Sequence, residues 1–220
     1  MYSPLTPDEL LQLPNVISSP RFATYLQAKN NNIEQALALY RWNLEVSAAF
    51  MGPLHLCEVA IRNGISDGIE TIHGNNWPWS QGFVRSLPSP RRGYSPKFDL
   101  QQTSSRHNTS GQVISDIKFA FWGRILTRRF DRSLWEGEFF NVFPNASQKA
   151  GLVVARENCR NEVEKIRLLR NRIAHHEPIF NRNVQDELAR ILKLVEWRNP
   201  TAAIWLSNIE TVSPLIGRKP

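Results

Sequence analysis

The sequence is poor in cysteine, in methionine and in uninterrupted apolar stretches. Only two cysteines, Cys57 and Cys159, occur in the 220 residues, and they lack the spacing of metal ligands. Neither a disulfide framework nor a zinc site is expected. No segment has the roughly 18 consecutive apolar residues of a membrane helix, and the N-terminus has acids and prolines where a signal peptide is basic and then apolar. These absences favour a cytoplasmic protein that uses no cofactor and contacts no membrane.

Acidic residues are also fewer than basic ones, 20 against 27, which gives a formal net charge of +7. A basic balance favours a polyanionic partner, chiefly nucleic acid. The basic residues are concentrated at 85–106 and 124–132, although a solvated basic surface without a partner is the alternative for each cluster. The candidate RNA contacts are Arg91, Arg92, Arg124, Arg128 and, from the motif described below, Arg172.

Helical periodicity dominates the chain, and strand alternation is nearly absent. A first pattern begins after Asn32 and continues toward Ile72, with an interruption expected at Gly52-Pro53. Further helices are predicted at about 112–130, 147–174, 184–197 and 202–209. The sequence therefore predicts an all-α fold.

Residues 74–109 differ from the rest because they are rich in Pro, Ser, Gly and Arg. We predict a long basic loop here with one short helix near 81–87, in which Trp77, Trp79 and Tyr94 are candidates for stacking on bases. The whole chain, 1–220, is expected to be one domain. Its parts are N-terminal helices (20–73), the loop-rich insertion (74–109), helices carrying the main motif (110–182) and C-terminal helices (183–220).

The helix predicted at 147–174 has one apolar stripe when its residues are placed about 100° apart. The stripe comprises Leu152, Ala155, Cys159, Val163, Ile166, Leu169 and Ile173. Arg170 falls inside it. A guanidinium stays charged and is costly to bury unpaired, so it requires an acceptor or an open cleft. One interpretation is a structural ion pair, for which Glu58 is a candidate.

The residues after Arg170 favour a chemical role instead. An arginine fork suits a phosphate or the charge of a transition state, and His175 or His176 suits proton transfer near neutral pH. Asn171 lies four residues before His175 and could orient it. On an unbroken helix Arg170 and His175 point about 140° apart, so either the helix loosens near Ala174 or a second subunit contributes. No metal site is favoured, because consecutive side chains of the His-His-Glu run diverge and further ligands are missing.

The run RNRIAHHEPIFN at Arg170–Asn181 resembles the C-terminal signature of Abi-like (AbiD/AbiF-type) abortive-infection proteins, which belong to the HEPN superfamily. Earlier segments are also similar to that family: ALALYRWN at 36–43, EVAIRN at 58–63, WPW at 77–79 and FWGRIL at 121–126. The resemblance implies a HEPN-like helical bundle with the basic loop as an insertion, and a chain that forms a homodimer.

The resemblance also implies a metal-independent endoribonuclease of abortive-infection or toxin type, in which a ribose 2′-hydroxyl attacks the adjacent phosphate. Arg170 would bind the phosphate, and Asn171 would orient the imidazole or the phosphate. His175 or His176 would be the acid or base. An antitoxin protein or a structured RNA is the implied inhibitor. A HEPN module that binds RNA or a partner without cutting is the alternative, and a motif used only for dimer packing is a third.

Overall fold

The computed structural model describes residues 4–220, and all regular structure within that range is helical, with no strand. The predicted all-α class is confirmed. The α-helices are α1 (Pro7–Ile17), α2 (Ser19–Ala28), α3 (Ile33–Ala49), α4 (Met51–His73), α5 (Gln81–Ser86), α6 (Pro96–Ser104), α7 (Ser110–Asp116), α8 (Phe119–Ile125), α9 (Glu136–Val142), α10 (Gly151–Ala174), α11 (Val184–Arg198), α12 (Pro200–Ile209) and α13 (Ser213–Ile216). Short 3-10 turns lie at Trp77–Trp79, Arg128–Phe130 and Gln148–Ala150, and a π-helical turn at Asp131–Trp135.

Local sequence signals explain how the first long helices begin and end. The Asn32 side chain accepts a hydrogen bond from the Gln35 N–H and so caps α3. The predicted interruption is present, but α3 and α4 separate at Phe50, just before Gly52-Pro53. Pro53 therefore lies in the first turn of α4, where a missing N–H costs no intrahelical hydrogen bond.

The prediction of one helix at 112–130 is wrong. The chain forms α7 and α8 there, separated by extended backbone at Ile117 (φ −63°, ψ 139°). This break allows both Ile117 and Phe119 to be buried. Burial in the tertiary structure therefore overrides the continuous helical periodicity.

The segment 74–109 is also more ordered than the predicted long loop. The short helix near 81–87 is confirmed as α5, but α6 and the turn at Trp77–Trp79 add further helical structure. Trp77 is fully buried, and its indole N–H donates to Ser66 Oγ at 3.0 Å. Trp79 donates to the Ser104 carbonyl. The two tryptophans thus hold this segment against the core, and neither indole N–H is left for a ligand.

One continuous core fills the space between the helices. Helix α4 packs against α11 and α8, while α10 packs against α8 and α11. Taken as one run, Ile33–His73 (41 residues) is long and apolar enough to cross a membrane by length and composition alone. This is a weak indication, because a core helix passes the same test and α3 and α4 supply core residues such as Val46, Ile61 and Ile65.

Gly68 marks a close approach between α4 and α9. A Cβ atom at this position would lie 2.9 Å from Cγ2 of Val142, whereas a Cβ at Gly137 meets no atom within 4 Å. We expect Gly68→Ala to lower the free energy of unfolding by about 1–3 kcal/mol, and Gly137→Ala to raise it by about 0.5–1 kcal/mol. Urea denaturation of both variants measures the difference. Equal stability of the two proteins would contradict the close contact.

Candidate functional site

Helix α10 carries the motif and is unbroken from Gly151 to Ala174. Its predicted apolar stripe is confirmed, since Ala155, Cys159, Val163, Ile166, Leu169 and Ile173 are buried and Leu152 is partly buried. Arg170 is not buried like the other residues of the stripe. Its side chain is 46% exposed, although its position on the helix faces the core. The difference arises because α4 and the α7–α8 connection leave an opening above this point.

That opening is a groove of about 380 Å³, which we call the Arg170 groove. It is lined by Glu58, Ser115, Asp116, Ile117, Lys118, Phe119, Ala120, Arg167, Arg170 and Asn171. Arg170 Nε lies 3.6 Å from Glu58 Oε2, while Glu58 Oε1 accepts a hydrogen bond from Arg62 at 2.6 Å. The predicted Glu58–Arg170 ion pair is therefore present, but it is long, and Arg62 holds the carboxylate more tightly.

A second pocket, of about 240 Å³, continues the groove along α8 and α10 and shares Ala120 and Arg167 with it. Arg124, Arg160 and Tyr94 line this part. We call the two pockets together the basic cleft. Two of its arginines already have acidic partners on α10: Arg160 pairs with Glu157, and Arg167 pairs with Glu164. The hydrogen bond from Arg167 lowers the pKa of Glu164, so that carboxylate stays charged and offsets part of the cleft's positive charge.

The C-terminal end of α10 is closed by a pair of backbone hydrogen bonds. The N–H of His176 donates to the Ile173 carbonyl, and that of Glu177 donates to the Arg172 carbonyl. His176 has a φ of +56°. This is the Schellman arrangement, with a histidine where glycine is usual. Arg172 itself donates two hydrogen bonds to the Pro178 carbonyl, so this candidate RNA contact is engaged in holding the helix end.

The structure brings Arg170 and Asn171 together but separates them from both motif histidines. His175 is exposed at the helix end, and its ring forms no hydrogen bond within residues 4–220. His176 lines a different cavity, described below. The helix does not loosen before Ala174. Within one protomer, therefore, the arginine and the imidazoles of the motif face different surfaces.

Another histidine, His107, contacts a residue that lines the Arg170 groove, although no motif in the sequence indicates it. His107 Nε2 lies 2.9 Å from Oδ2 of Asp116, which lines the groove and also accepts from Arg106 at 2.8 Å. The hydrogen bond with His107 lowers the pKa of Asp116, and Arg106 acts in the same direction. A carboxylate that orients an imidazole is a common acid–base arrangement.

The remaining candidate RNA contacts occupy different places. Arg91 and Arg92 are exposed on the loop between α5 and α6, and Arg128 is exposed beyond α8. Arg124 lines the basic cleft. Tyr94 is turned inward, because its hydroxyl donates to the buried Asp99 at 2.6 Å. The loop arginines are therefore available at the surface, while Trp77, Trp79 and Tyr94 have structural contacts.

Two polar residues that the sequence reasoning did not select have clear structural roles. Asn43 is buried, and its Oδ1 accepts hydrogen bonds from the N–H groups of Ile179 and Phe180 at 2.7 and 3.0 Å. This anchors the chain beyond α10 to α3. Arg156, on α10, is 1% exposed and binds Asp131 at 2.7 Å. Asn43 had no sequence signal, whereas Arg156 lies on the edge of the apolar stripe and could have been found.

In comparisons with known proteins, no family model, curated protein or solved structure matches the chain. Among residues 4–220, no group of three or more His, Cys, Asp or Glu side chains is arranged to hold a metal ion. The geometry of the groove and of the helix end therefore carries the functional argument.

Proposed function

We propose that this chain is a metal-independent endoribonuclease of abortive-infection or toxin type, with a site completed by a second copy of the chain. The observation that supports this most directly is the accessibility of Arg170. A charged fork lies at a core-facing position of α10 and yet is 46% exposed in a groove. An arginine that served only the fold would be expected to have a short, saturated ion pair, as Arg156 has.

The Arg170 guanidinium can also leave Glu58 for a phosphate at little cost in free energy. At 3.6 Å the contact with Glu58 is too long for a hydrogen bond, and a half-exposed ion pair of this kind contributes little free energy. A phosphodiester could therefore accept two parallel hydrogen bonds from Arg170 at small cost. Lys118 and Arg167 line the same groove, and with Arg170 these three cations outnumber its two carboxylates, Glu58 and Asp116.

The reaction needs one proton acceptor near the phosphate. The 2′-hydroxyl oxygen would form a bond to phosphorus while the bond to the 5′-oxygen breaks. A neutral imidazole would take the 2′ proton, and the leaving 5′-oxygen would receive a proton from the imidazolium or from water. The products would be a 2′,3′-cyclic phosphate and a 5′-hydroxyl, with Asn171 orienting the phosphate beside Arg170.

A second copy of the chain supplies the imidazole in this proposal. His175 lies about 140° around α10 from Arg170 and five residues further along, so the two cannot reach one phosphate from the same helix. In a twofold dimer, each motif meets its counterpart, and His175 or His176 of one chain can approach Arg170 of the other. His107, held by Asp116 at the groove rim, is the alternative base within one chain.

The test is cleavage of RNA by the purified protein in EDTA. We expect cut RNA with 2′,3′-cyclic phosphate and 5′-hydroxyl ends, and no cut at a position where the ribose is replaced by 2′-deoxyribose. The matched substrate differs by that one oxygen, so it separates attack by the 2′-hydroxyl from hydrolysis by water. Cleavage that persists at the 2′-deoxy position, or that needs an added divalent metal ion, would refute the proposed reaction.

A second candidate is an RNA-binding module that does not cut. The observation in its favour is that no histidine lines the Arg170 groove within the described protomer. The basic cleft would then hold phosphates alone, with an affinity that falls steeply as salt rises. Intact RNA after long incubation, together with salt-sensitive binding that Arg124→Ala and Arg170→Ala both weaken, would favour this function over the nuclease.

A further inference from the structure

The cavity that His176 lines is separate from the basic cleft and has a character of its own. It has a volume of about 590 Å³ and lies between α2, α3, the start of α4 and the end of α10. We call it the α2–α3 pocket. It is lined by Arg21, Tyr25, Tyr40, Asn43, Leu44, Ser47, Ala48, Met51, Ile173, Ala174 and His176. Such a volume, with mixed apolar and polar walls, is typical of a small-molecule or base site.

Two almost completely buried polar side chains line this pocket with hydrogen-bonding capacity unused. Asn43 is 6% exposed, and its Oδ1 is fully engaged by Ile179 and Phe180. Its Nδ2 donates to no atom of residues 4–220. Tyr25 is 1% exposed, and its hydroxyl likewise has no protein partner in that range. Solvent can reach both atoms, and both residues line the pocket, so a ligand that enters it can replace water on each of them.

The protonation of Tyr25 makes it a hydrogen-bond donor. Burial raises the pKa of its phenol to about 12, so the hydroxyl keeps its proton at neutral pH. Asn43 Nδ2 is also a donor, and Arg21 at the mouth of the pocket can only donate. No Asp or Glu lines the pocket. Asn43 and Arg21 can therefore only donate to a ligand, whereas the hydroxyls of Tyr25 and Ser47 can donate or accept.

The opposite walls suit a flat ring. Leu44, Met51 and Ile173 are apolar, and Ala48 leaves room between them. The pocket also adjoins the motif, because Ile173, Ala174 and His176 line it and His175 stands between the last two. A ring bound here would lie beside the end of α10 that carries His175.

We propose that the α2–α3 pocket receives one unstacked base of the RNA strand next to the cleaved phosphate, and that it prefers uracil and guanine. This inference rests on the proposed function. Sequence-selective proteins read RNA mainly through such splayed single-stranded bases. Uracil and guanine present carbonyl acceptors to the donors of Asn43 and Tyr25. Adenine and cytosine present an amino group at that position, and the Asn43 amide cannot accept from it because its oxygen is already used by Ile179 and Phe180.

The first test maps the cleavage sites on a random-sequence RNA pool. We expect the wild type to cut beside uracil or guanine roughly 10-fold more often than beside adenine or cytosine.

Met51→Trp, which fills the pocket, should remove this preference while cleavage continues at a reduced rate. Tyr25→Phe, which removes one donor and keeps the ring, should reduce the preference. Ile72→Trp changes a similarly exposed residue on the same helix, α4, and should leave the preference unchanged. An unchanged preference in Met51→Trp, with normal cleavage, overturns the inference and leaves the nuclease standing.

The second test measures binding and needs no cleavage. The four ribonucleoside 3′-monophosphates, ribose 5-phosphate and short RNA oligonucleotides are titrated into the wild type and into Met51→Trp. We expect uridine and guanosine monophosphates to bind more tightly than the other two, and Met51→Trp to lose that difference. RNA trinucleotides containing uracil should bind more tightly than the mononucleotide, since their phosphates add contacts.

Equal affinities for all four bases, or for a mononucleotide and its trinucleotide, would overturn the assignment to a base of RNA. Base-selective binding by a protein that never cuts RNA would support the pocket and refute the nuclease.

Discussion

Replacing Arg170 by alanine is expected to slow RNA cleavage by roughly 10²–10³-fold, because the variant loses the fork that stabilises charge on the phosphate. Its fold should persist, since the side chain is 46% exposed and its contact with Glu58 is long. Arg170→Lys keeps the charge but not the paired donors, so it should recover only part of the rate. The measurement is the single-turnover cleavage rate, with circular dichroism to confirm the helical content.

Arg167→Ala is the matched control for this experiment. Arg167 lines the same groove three residues earlier on α10, but its guanidinium is already bound to Glu164. Its loss should weaken RNA binding modestly and leave the cleaved bond unchanged. The cleavage rates of three histidine variants are measured in parallel: His175→Ala, His176→Ala and His107→Ala. The variant whose rate falls as far as that of Arg170→Ala identifies the base. If Arg170→Ala and Arg167→Ala lose activity equally, Arg170 acts only through the general charge of the cleft.

Asp131→Ala is expected to lower the free energy of unfolding by about 3–5 kcal/mol, because it leaves the buried Arg156 guanidinium without its main partner. Asp131 accepts hydrogen bonds from Arg156 at 2.7 and 3.3 Å, and the Leu126 carbonyl accepts another from Arg156 at 3.3 Å. These contacts join α10 to the chain between α8 and α9. Urea denaturation of the wild type and the variant gives the free-energy difference.

Two further variants separate the ion pair from simple loss of packing. Glu157 also accepts from Arg156, at 2.6 Å, but it is 42% exposed and shared with Arg160. Glu157→Ala should therefore cost much less than Asp131→Ala. The double variant Arg156→Met with Asp131→Ala replaces the charged pair by apolar groups, and it should be more stable than Asp131→Ala alone. If Asp131→Ala is as stable as Glu157→Ala, the Arg156 guanidinium has enough hydrogen-bond acceptors without Asp131.

The contrast between Arg156 and Arg170 shows what helical periodicity could and could not predict. The two residues are 14 apart and lie about 40° from each other around α10, so the sequence gives them nearly the same orientation. Their burial differs completely, 1% exposed for one residue and 46% of the side chain for the other. The π-helical turn that begins at Asp131 covers the first, and an opening beside α4 exposes the second. Periodicity predicts which way a side chain points, but its burial depends on the elements packed opposite.

The same limit explains the other differences from the sequence-based expectations. The long helices and their ends were predictable because caps, prolines and apolar spacing are local signals. The order of 74–109 depends on Trp77 reaching Ser66 on α4, and the anchoring of Ile179 depends on Asn43, 136 residues earlier. His107 and Asp116 meet only because the chain turns into α7 between them. Contacts of this kind leave no repeating pattern in the sequence.

The divergence of Arg170 and His175 around an unbroken α10 has a consequence for dosage. Under the proposed function, an isolated protomer holds half of a reaction centre on each of two surfaces and cannot complete either alone. Below the dissociation constant of the dimer, activity would then grow with the square of the protein concentration. A cell could carry a low basal level of such a chain without harm, and a modest rise in its synthesis would release a disproportionate amount of RNA damage.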